Sequence, residues 1–339
     1  MRFSFFATLA CLAFSQAAIF NEIDDAWSFD VNEGENADWM STIADSTLLS
    51  SLAIPGTHNS ATDSLKNKKV QTQNVPLEQQ LVGGIRYIDI TCKDTGNILM
   101  VYNGRSQTDS SFGNVLRTIY NFLDHHQRET VILRIQMSGA FKTSKSLVKS
   151  FEKYFAPDTV LGDLAANRVY SKGDDRITTV PTLGELRGKV FILEDFKTSA
   201  PGRYGLPWNK DTVSSYSRTF SASTRSMDSK WNEIKSHLSE APSDSSTKLR
   251  ITHTTASFGV KPINFAARNA PNVGMNQHLG QYLAYQQNSC FGIVVMDFPG
   301  RFNVEQILQR NKNYQVPEPS TYPNDHSNIF TPGVAVAAA

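Results

Sequence analysis

The sequence predicts an α/β protein, a parallel sheet with helices packed outside it, on three observations. From Leu48 onward, short apolar or β-branched runs alternate with amphipathic stretches, which is the pattern of repeated strand–helix units. Later runs such as Gly292-Ile293-Val294-Val295-Met296 are apolar without a break, as strands covered on both faces are. No Gly-x-Gly-x-x-Gly or phosphate-loop pattern follows any of these runs, which argues against a doubly wound nucleotide-binding sheet. On these residues alone, a closed barrel and an open sheet both remain compatible.

Met1-Arg2, the apolar run from Phe3 to Phe14 and the small residues of Ser15-Gln16-Ala17 have the form of a secretion leader. Residues 1–17 are therefore expected as a signal peptide and the protein as secreted and extracellular. The run is shorter than the roughly 20 apolar residues that a membrane span needs. Residues 18–45 are acidic and polar around Gly34 and are expected as an extended N-terminal arm. Leu52-Ala53-Ile54 ends at a Pro55-Gly56 turn signal. Ile85–Ile90, Thr130–Ile135, Lys189–Phe196, Leu249–Thr254 and Phe291–Phe298 read as strands, and Ile98–Tyr102 as a further one. Helical spacing marks 115–123, 146–155, 182–186, 227–238, 275–286 and 304–310. Pro317, Pro319, Pro323 and Pro332 mark residues 311–339 as a flexible tail.

Composition excludes several classes of function. With 33 basic and 32 acidic side chains the formal charge is +1, so no global electrostatic case exists for nucleic acid. A 40% hydrophobic fraction is too high for a disordered chain. Three cysteines cannot staple the fold, and Cys11 falls in the leader.

The segment with the most chemistry is Ile54-Pro55-Gly56-Thr57-His58-Asn59-Ser60. A histidine at the C-terminal end of a strand lies where barrel enzymes keep their active sites. Its imidazole titrates near neutrality and is suited to take a proton from a hydroxyl nucleophile. Ser60 has no Gly-x-Ser-x-Gly setting, which argues against a serine hydrolase.

This segment, followed by Gly84-Ile85-Arg86-Tyr87-Ile88-Asp89-Ile90 and Glu129-Thr130-Val131-Ile132-Leu133, resembles the catalytic X domain of phosphatidylinositol-specific phospholipase C. The likeness is to the small bacterial enzymes and their secreted fungal relatives. Leu183-Gly184-Glu185-Leu186-Arg187-Gly188-Lys189-Val190 and Val294-Val295-Met296-Asp297-Phe298 extend it along the chain. The resemblance implies a distorted TIM (β/α) barrel, a single domain over residues 46–310. It implies a phosphoric diester hydrolase or lyase of lipid metabolism, in which the inositol 2-hydroxyl attacks phosphorus. His58 takes the place of the general base and Asp297 that of the carboxylate that orients it, as in a catalytic triad. No resident cofactor is implied.

The other half of the family pattern is replaced. Where the resemblance places an aspartate after the base, a phosphate arginine and a general-acid histidine, this chain has Asn59, Thr91 and Asn103. An inositol-contacting arginine aligns with Asp195, beside Glu194. A general acid is worth about 10²–10⁴-fold and a donor at developing charge about 10²–10³-fold. Activity is therefore expected to be weak or altered, the alternative being an inactive relative that binds inositol phosphate or phospholipid headgroups. Larger eukaryotic relatives use His-Asn with calcium, of which Asn59 and Asp89 match part. Thr91 and Gln136 supply no further carboxylate, so no metal site is expected. Arg105 and His253 are the candidates to substitute for the missing groups.

Asn59, Asp89, Thr91, Asn103 and Arg105 thus form the expected substrate-binding set. The expected partner is a phosphatidylinositol or related phosphodiester headgroup. Lys66, Lys68 and Lys69, in the loop after His58, stand where a barrel mouth meets a membrane surface. A monomer is expected, and His125-His126 is expected at the far end of the barrel. In that barrel Cys92 and Cys290 lie at opposite ends, so no intramolecular disulfide is expected.

Overall fold

The computed structural model describes residues 18–316 apart from 97, 138–144, 219–226, 241–246, 256–259, 269–272 and 286–290. The expected leader and the tail beyond residue 316 lie outside the described residues.

Eight parallel strands form a curled sheet: β1 (Ile54–Thr57), β2 (Tyr87–Asp94), β3 (Thr130–Met137), β4 (Lys189–Asp195), β5 (Leu206–Pro207), β6 (Val213–Tyr216), β7 (Leu249–His253) and β8 (Ile293–Met296). They lie in the order β6-β7-β8-β1-β2-β3-β4-β5. The first and last strands pair, Val295 beside Gly56 and Met296 beside Thr57. Among the described residues no ladder joins β5 to β6, so this TIM-like barrel carries a seam there. The Ile98–Tyr102 expectation falls on Leu99–Asn103, which forms an antiparallel hairpin with Ser106–Ser111 on the outer end of β2.

The strands alternate between two cores. Inward residues Ile54, Tyr87, Ile132, Phe191, Ile251, Ile293 and Val295 fill the barrel. Outward residues Ile88, Ile90, Leu133, Ile135, Ile192, Val294 and Met296 meet the helices. This is the period-2 consequence of side chains alternating across a strand. Gly56 is required at its place. A Cβ there would lie 2.8 Å from Tyr87 Cβ and Cδ1, so only glycine lets the Tyr87 ring cross the interior.

Helices occupy Phe112–His125, Lys145–Glu152, Met227–Ser239, Met275–Tyr285 and Arg301–Leu308, near the expected spans. Ser111 caps the first, its side chain accepting from Asn114 N at 3.1 Å. Thr182 and Glu185 form a capping box at Leu183–Leu186. Leu77–Val82 and Val160–Arg168 are additional helices. The first is only six residues, too short for a periodic signal to stand out.

Residues 18–45 do not form an extended arm. Ala18–Phe20 and Ile23–Asp25 pair as a hairpin, and Phe29, Val31, Met40 and Ile43 are buried. Burial of such a side chain is worth about 1.5–3 kcal/mol, which outweighs the polar character of the residues between them. Met40 N donates to Glu129, whose carboxylate forms a fully buried ion pair with Arg86 at 2.8 Å. The ordered chain also continues past residue 310. Asn311 exchanges two 2.8 Å hydrogen bonds with the Ala53 backbone, and Val316 N donates to Thr42 O. His126 Nδ1 donates to Asp38 Oδ1 at 2.8 Å, away from the mouth, at the end of the Phe112–His125 helix. Cys92 is free and buried, its thiol pushed up to about 12 by burial; Cys290 lies outside the described residues. No helix among the described residues is long and apolar enough to cross a membrane.

Candidate active site

The mouth is built on the turn after β1. His58 N donates to Met296 O at 3.0 Å and Ser60 N to Asp89 O at 2.8 Å, so the turn is tied to both neighbouring strands. Gln73 donates to the carbonyls of His58 and Met296, and Thr72 Oγ1 to that of His58. The Ser60 hydroxyl donates to Thr57 O and accepts from Asp89 N, both at 2.9 Å. Ser60 is thus a structural clasp, consistent with its lack of a nucleophile setting. Asn59 takes φ +44°, the left-handed region in which asparagine is among the more tolerant residues.

Within this frame His58 Nδ1 lies 2.9 Å from Asp297 Oδ1, the imidazole 23% exposed and the carboxylate wholly buried. A carboxylate only accepts, so in the neutral imidazole Nδ1 carries the proton and Nε2 presents its lone pair. The Asn59 amide nitrogen stands 2.8 Å from that Nε2 and donates to it. Burial pulls the His58 pKa down, but the charge and hydrogen bond of Asp297 and the charge of Asp89 override it, so the net shift is upward. Asn276 donates to the carbonyls of Asp297 and Phe298 and fixes the end of β8.

His253 stands across from His58, ring centroids 6.0 Å apart and planes nearly perpendicular. Burial, assisted by Arg134, His58 and Lys230, holds its pKa well below the ordinary value, so the ring is neutral; its Nε2 is buried with no hydrogen-bond partner among the described residues. A neutral imidazole is a hydrogen-bond donor, not the protonated acid that a leaving group needs. Lys230, pushed down to about 8 by burial, donates to Thr255 O at 2.6 Å and Arg218 O at 2.9 Å.

The remaining expected residues separate into two places. Asp89 and Thr91 face the mouth from β2. Asp89 Oδ2 accepts from Arg134 NH1 at 3.3 Å, and the Thr91 hydroxyl lies 3.4 Å from Gln136 Oε1. Asn103 instead sits on the outer hairpin, its amide donating to Val70 O at 2.7 Å at the end of the lysine loop. Arg105 is exposed at that hairpin's tip beside Gly104, and Lys66, Lys68 and Lys69 are exposed. Glu194 does not face the mouth: it accepts the amides of Gly202, Tyr204 and Gly205 and holds the loop after β4.

The donor set does not suit calcium. The Arg134 guanidinium stands against both Asp89 and Asp195, so the carboxylates on this side of the mouth already face a fixed positive charge that opposes a cation. Among the described residues no group of three His, Cys, Asp or Glu is gathered to hold a metal. Calcium takes six to eight oxygens.

Sequence reasoning passed over Arg134. It interrupts the apolar run Thr130–Ile135 of β3, and the ladder places it between Asp89 and Leu193. Its guanidinium is clamped to Asp195 Oδ2 by Nε at 3.1 Å and NH2 at 2.6 Å, with Trp208 4.0 Å from Cζ. The flanking charges raise its pKa further despite burial. A charge at an inward position of an otherwise apolar strand was the available signal.

A parallel barrel with a carboxylate-oriented histidine at its mouth defines a class of barrel proteins equipped for proton abstraction. Comparison with known proteins makes the class specific. The profile of the family described as phosphatidylinositol-specific phospholipase C, X domain, matches residues 49–195. The 1-phosphatidylinositol phosphodiesterase of Listeria monocytogenes is 31% identical over 294 residues, covering 81% of this chain and 84% of that protein. That of Staphylococcus aureus is 25% identical over 159 residues, 45% of this chain and 49% of that protein. Among solved structures, the phosphatidylinositol-specific phospholipase C from Listeria monocytogenes superposes with a TM-score of 0.69 at 27% identity, covering 81% of this chain and 98% of that one. A mutant of the Staphylococcus aureus enzyme shares the fold, with a TM-score of 0.67 at 18% identity, over 84% of this chain and all of that one. The chain belongs to the phosphatidylinositol-specific phospholipase C X-domain family.

Proposed function

We propose that the chain is a phosphatidylinositol phosphodiesterase whose base half is intact and whose acid half is weakened. The observation that carries this is the 2.9 Å contact of Asp297 with His58 Nδ1, which leaves Nε2 as the base. A ring hydroxyl takes the place of the Asn59 amide at Nε2 and gives up its proton there. Its oxygen then bonds to phosphorus, the bond from phosphorus to the diacylglycerol oxygen breaks, and a cyclic phosphate remains. The departing alkoxide takes its proton from water, since the Thr91 hydroxyl and Asn103 amide are too weakly acidic to serve, and the hydroxide so formed recovers the proton held at His58 Nε2. A second reading, headgroup binding without turnover, is favoured by one observation: the Asn103 amide is committed to Val70 O rather than to the mouth. Residues 1–17 direct the protein outside the cell, where it acts as a monomer. The lysine loop with Arg105 makes a peripheral contact with anionic lipid.

Phosphorus NMR of phosphatidylinositol vesicles, with wild type and His58→Ala, tests the proposal. The expected result is slow formation of a cyclic phosphodiester that the variant abolishes and calcium does not stimulate. Equal turnover by the variant removes His58 from the mechanism. Saturable headgroup binding without any product establishes the second reading.

A further inference from the structure

We infer that Phe29, reaching back from the N-terminal segment, is a positioning residue for the base: it clamps Phe298 in the backbone turn that aims Asp297 at His58. The inference rests on the proposal that His58 and Asp297 form the working base pair.

Each member of the pair is followed by a residue in the left-handed region, Asn59 at φ +44° and Phe298 at φ +46°. Both strands therefore turn sharply just past the side chain that does the chemistry. Asparagine takes this conformation readily, whereas a bulky aromatic residue is strained in it. Strain of this kind persists only where the surroundings over-determine it. Residues 20–30 supply that constraint.

Phe29 lies opposite Phe298 and is itself left-handed, at φ +78°. Its N–H donates to Phe298 O at 3.3 Å, and the two rings meet edge to face with centroids 5.8 Å apart. Phe20 closes the group, 5.4 Å from Phe29 and 5.8 Å from Phe298. Asn74 donates to Phe29 O at 2.7 Å and holds the clamp from the other side. The Asn276 amide nitrogen ties the two segments together, lying within 3.1 Å of Ser28 Oγ, Asp297 O and Phe298 O. Phe298 N donates to Thr72 O, and the Thr72 hydroxyl donates to His58 O, so one loop is joined to both turns.

Two observations separate positioning from ordinary packing. Phe29, Phe298, Ile263, Ala266 and Ala267 form a cluster of their own, apart from the barrel interior and from the core beneath the helices. The strain also falls on the residue next to the carboxylate, where glycine would make the same turn freely. A phenylalanine there gives the N-terminal segment a side chain to grip. Of the charged and titratable groups around His58, only Asp297 lies on this turn; Asp89, Arg134 and His253 reach the imidazole from β2, β3 and β7.

The test compares Phe29→Ala, Phe29→Leu, Phe20→Ala and the remote core variant Leu116→Ala in the full chain. Misplacing a reacting group by about 1 Å costs up to about 10²-fold. Phe29→Ala is therefore expected to lower kcat on phosphatidylinositol vesicles about tenfold, with KM changed less. Asp297 then acts less strongly on the imidazole, so the His58 titration read by NMR and the acid limb of kcat/KM both move to lower pH. Phe29→Leu keeps an apolar side chain against Phe298 and restores part of both. Phe20→Ala gives a smaller shift in the same sense. Leu116→Ala, in the core beneath the helices, lowers the melting temperature and moves neither. An unmoved His58 titration in folded Phe29→Ala and Phe20→Ala, with only the melting temperature lowered, overturns the inference. So does an equal shift in Leu116→Ala. If Phe29→Ala does not fold, Phe29→Leu and Phe20→Ala decide by the same two readouts. A His58 titration that follows these changes in protein that cleaves no lipid defeats the proposed activity and leaves Phe29 as the positioning residue of the pair.

Discussion

Asp297→Asn preserves the shape of a wholly buried side chain while removing its charge. At an effective dielectric of about 20, unit charges about 4 Å apart attract by about 4 kcal/mol. That attraction, with the 2.9 Å hydrogen bond, opposes the desolvation of the imidazolium. Burial is the largest single influence on His58 and acts downward; Asp297 supplies the two largest upward influences. Removing them leaves burial dominant, so the His58 pKa changes from above to below its ordinary value of 6.5. The acid limb of kcat/KM therefore moves to lower pH. Its plateau falls by about 10²–10⁴-fold, because an amide holds either imidazole tautomer and only one presents a base. The stability effect has the opposite pH sense. A raised histidine pKa stabilises the fold fully below the unfolded value, and that contribution disappears as pH rises through the folded one. The wild type's advantage in melting temperature over the variant is therefore larger in acid than in alkali. The assay is phosphatidylinositol cleavage across pH, beside an NMR titration of His58. An acid limb that stays in place or moves to higher pH would refute the electrostatic reasoning.

Gly56→Ala puts a methyl group 2.8 Å from the Tyr87 ring, so a loss of about 1–3 kcal/mol is expected in urea unfolding; an unchanged midpoint would show that the ring moves aside freely. Glu194→Ala strands the amides of Gly202, Tyr204 and Gly205. It is expected to cost about 3 kcal/mol and to open the 197–205 loop to proteolysis, and equal resistance to digestion would count against the clasp. His253 is buried and held neutral, so the unfolded chain takes up a proton first and stability falls as pH drops below about 6.5, by at most about 1.4 kcal/mol per pH unit. His253→Phe should flatten that part of the stability profile, and an unaltered slope would exclude His253 as its source.

The barrel strands were legible because a buried parallel strand is a short, β-branched run that needs little context. β1 and β8 could be joined because the resemblance ordered the strands, and the His58–Asp297 contact follows from that adjacency. Residues 18–45 were misread because Phe29, Val31, Met40 and Ile43 follow neither a period of 2 nor one of 3.6; they enter the core one at a time from loops. β5 is two residues long and contains Pro207, so neither propensity nor pattern marks it. Arg134 was visible as a residue but not as part of a site. Its meaning depends on which strand neighbours bring carboxylates to the same height, and register is set by tertiary packing.

The Tyr87 ring lying across Gly56 has a consequence for traffic. With Tyr87 and the aliphatic layers wholly buried beneath the histidines, the described part of the barrel is stoppered below its mouth. Whatever reaches His58 arrives and departs over the same rim, past the lysine loop on one side and Trp208 on another. Entry and exit therefore compete for one threshold, and a residue at that rim influences how long an occupant stays as well as how readily it arrives.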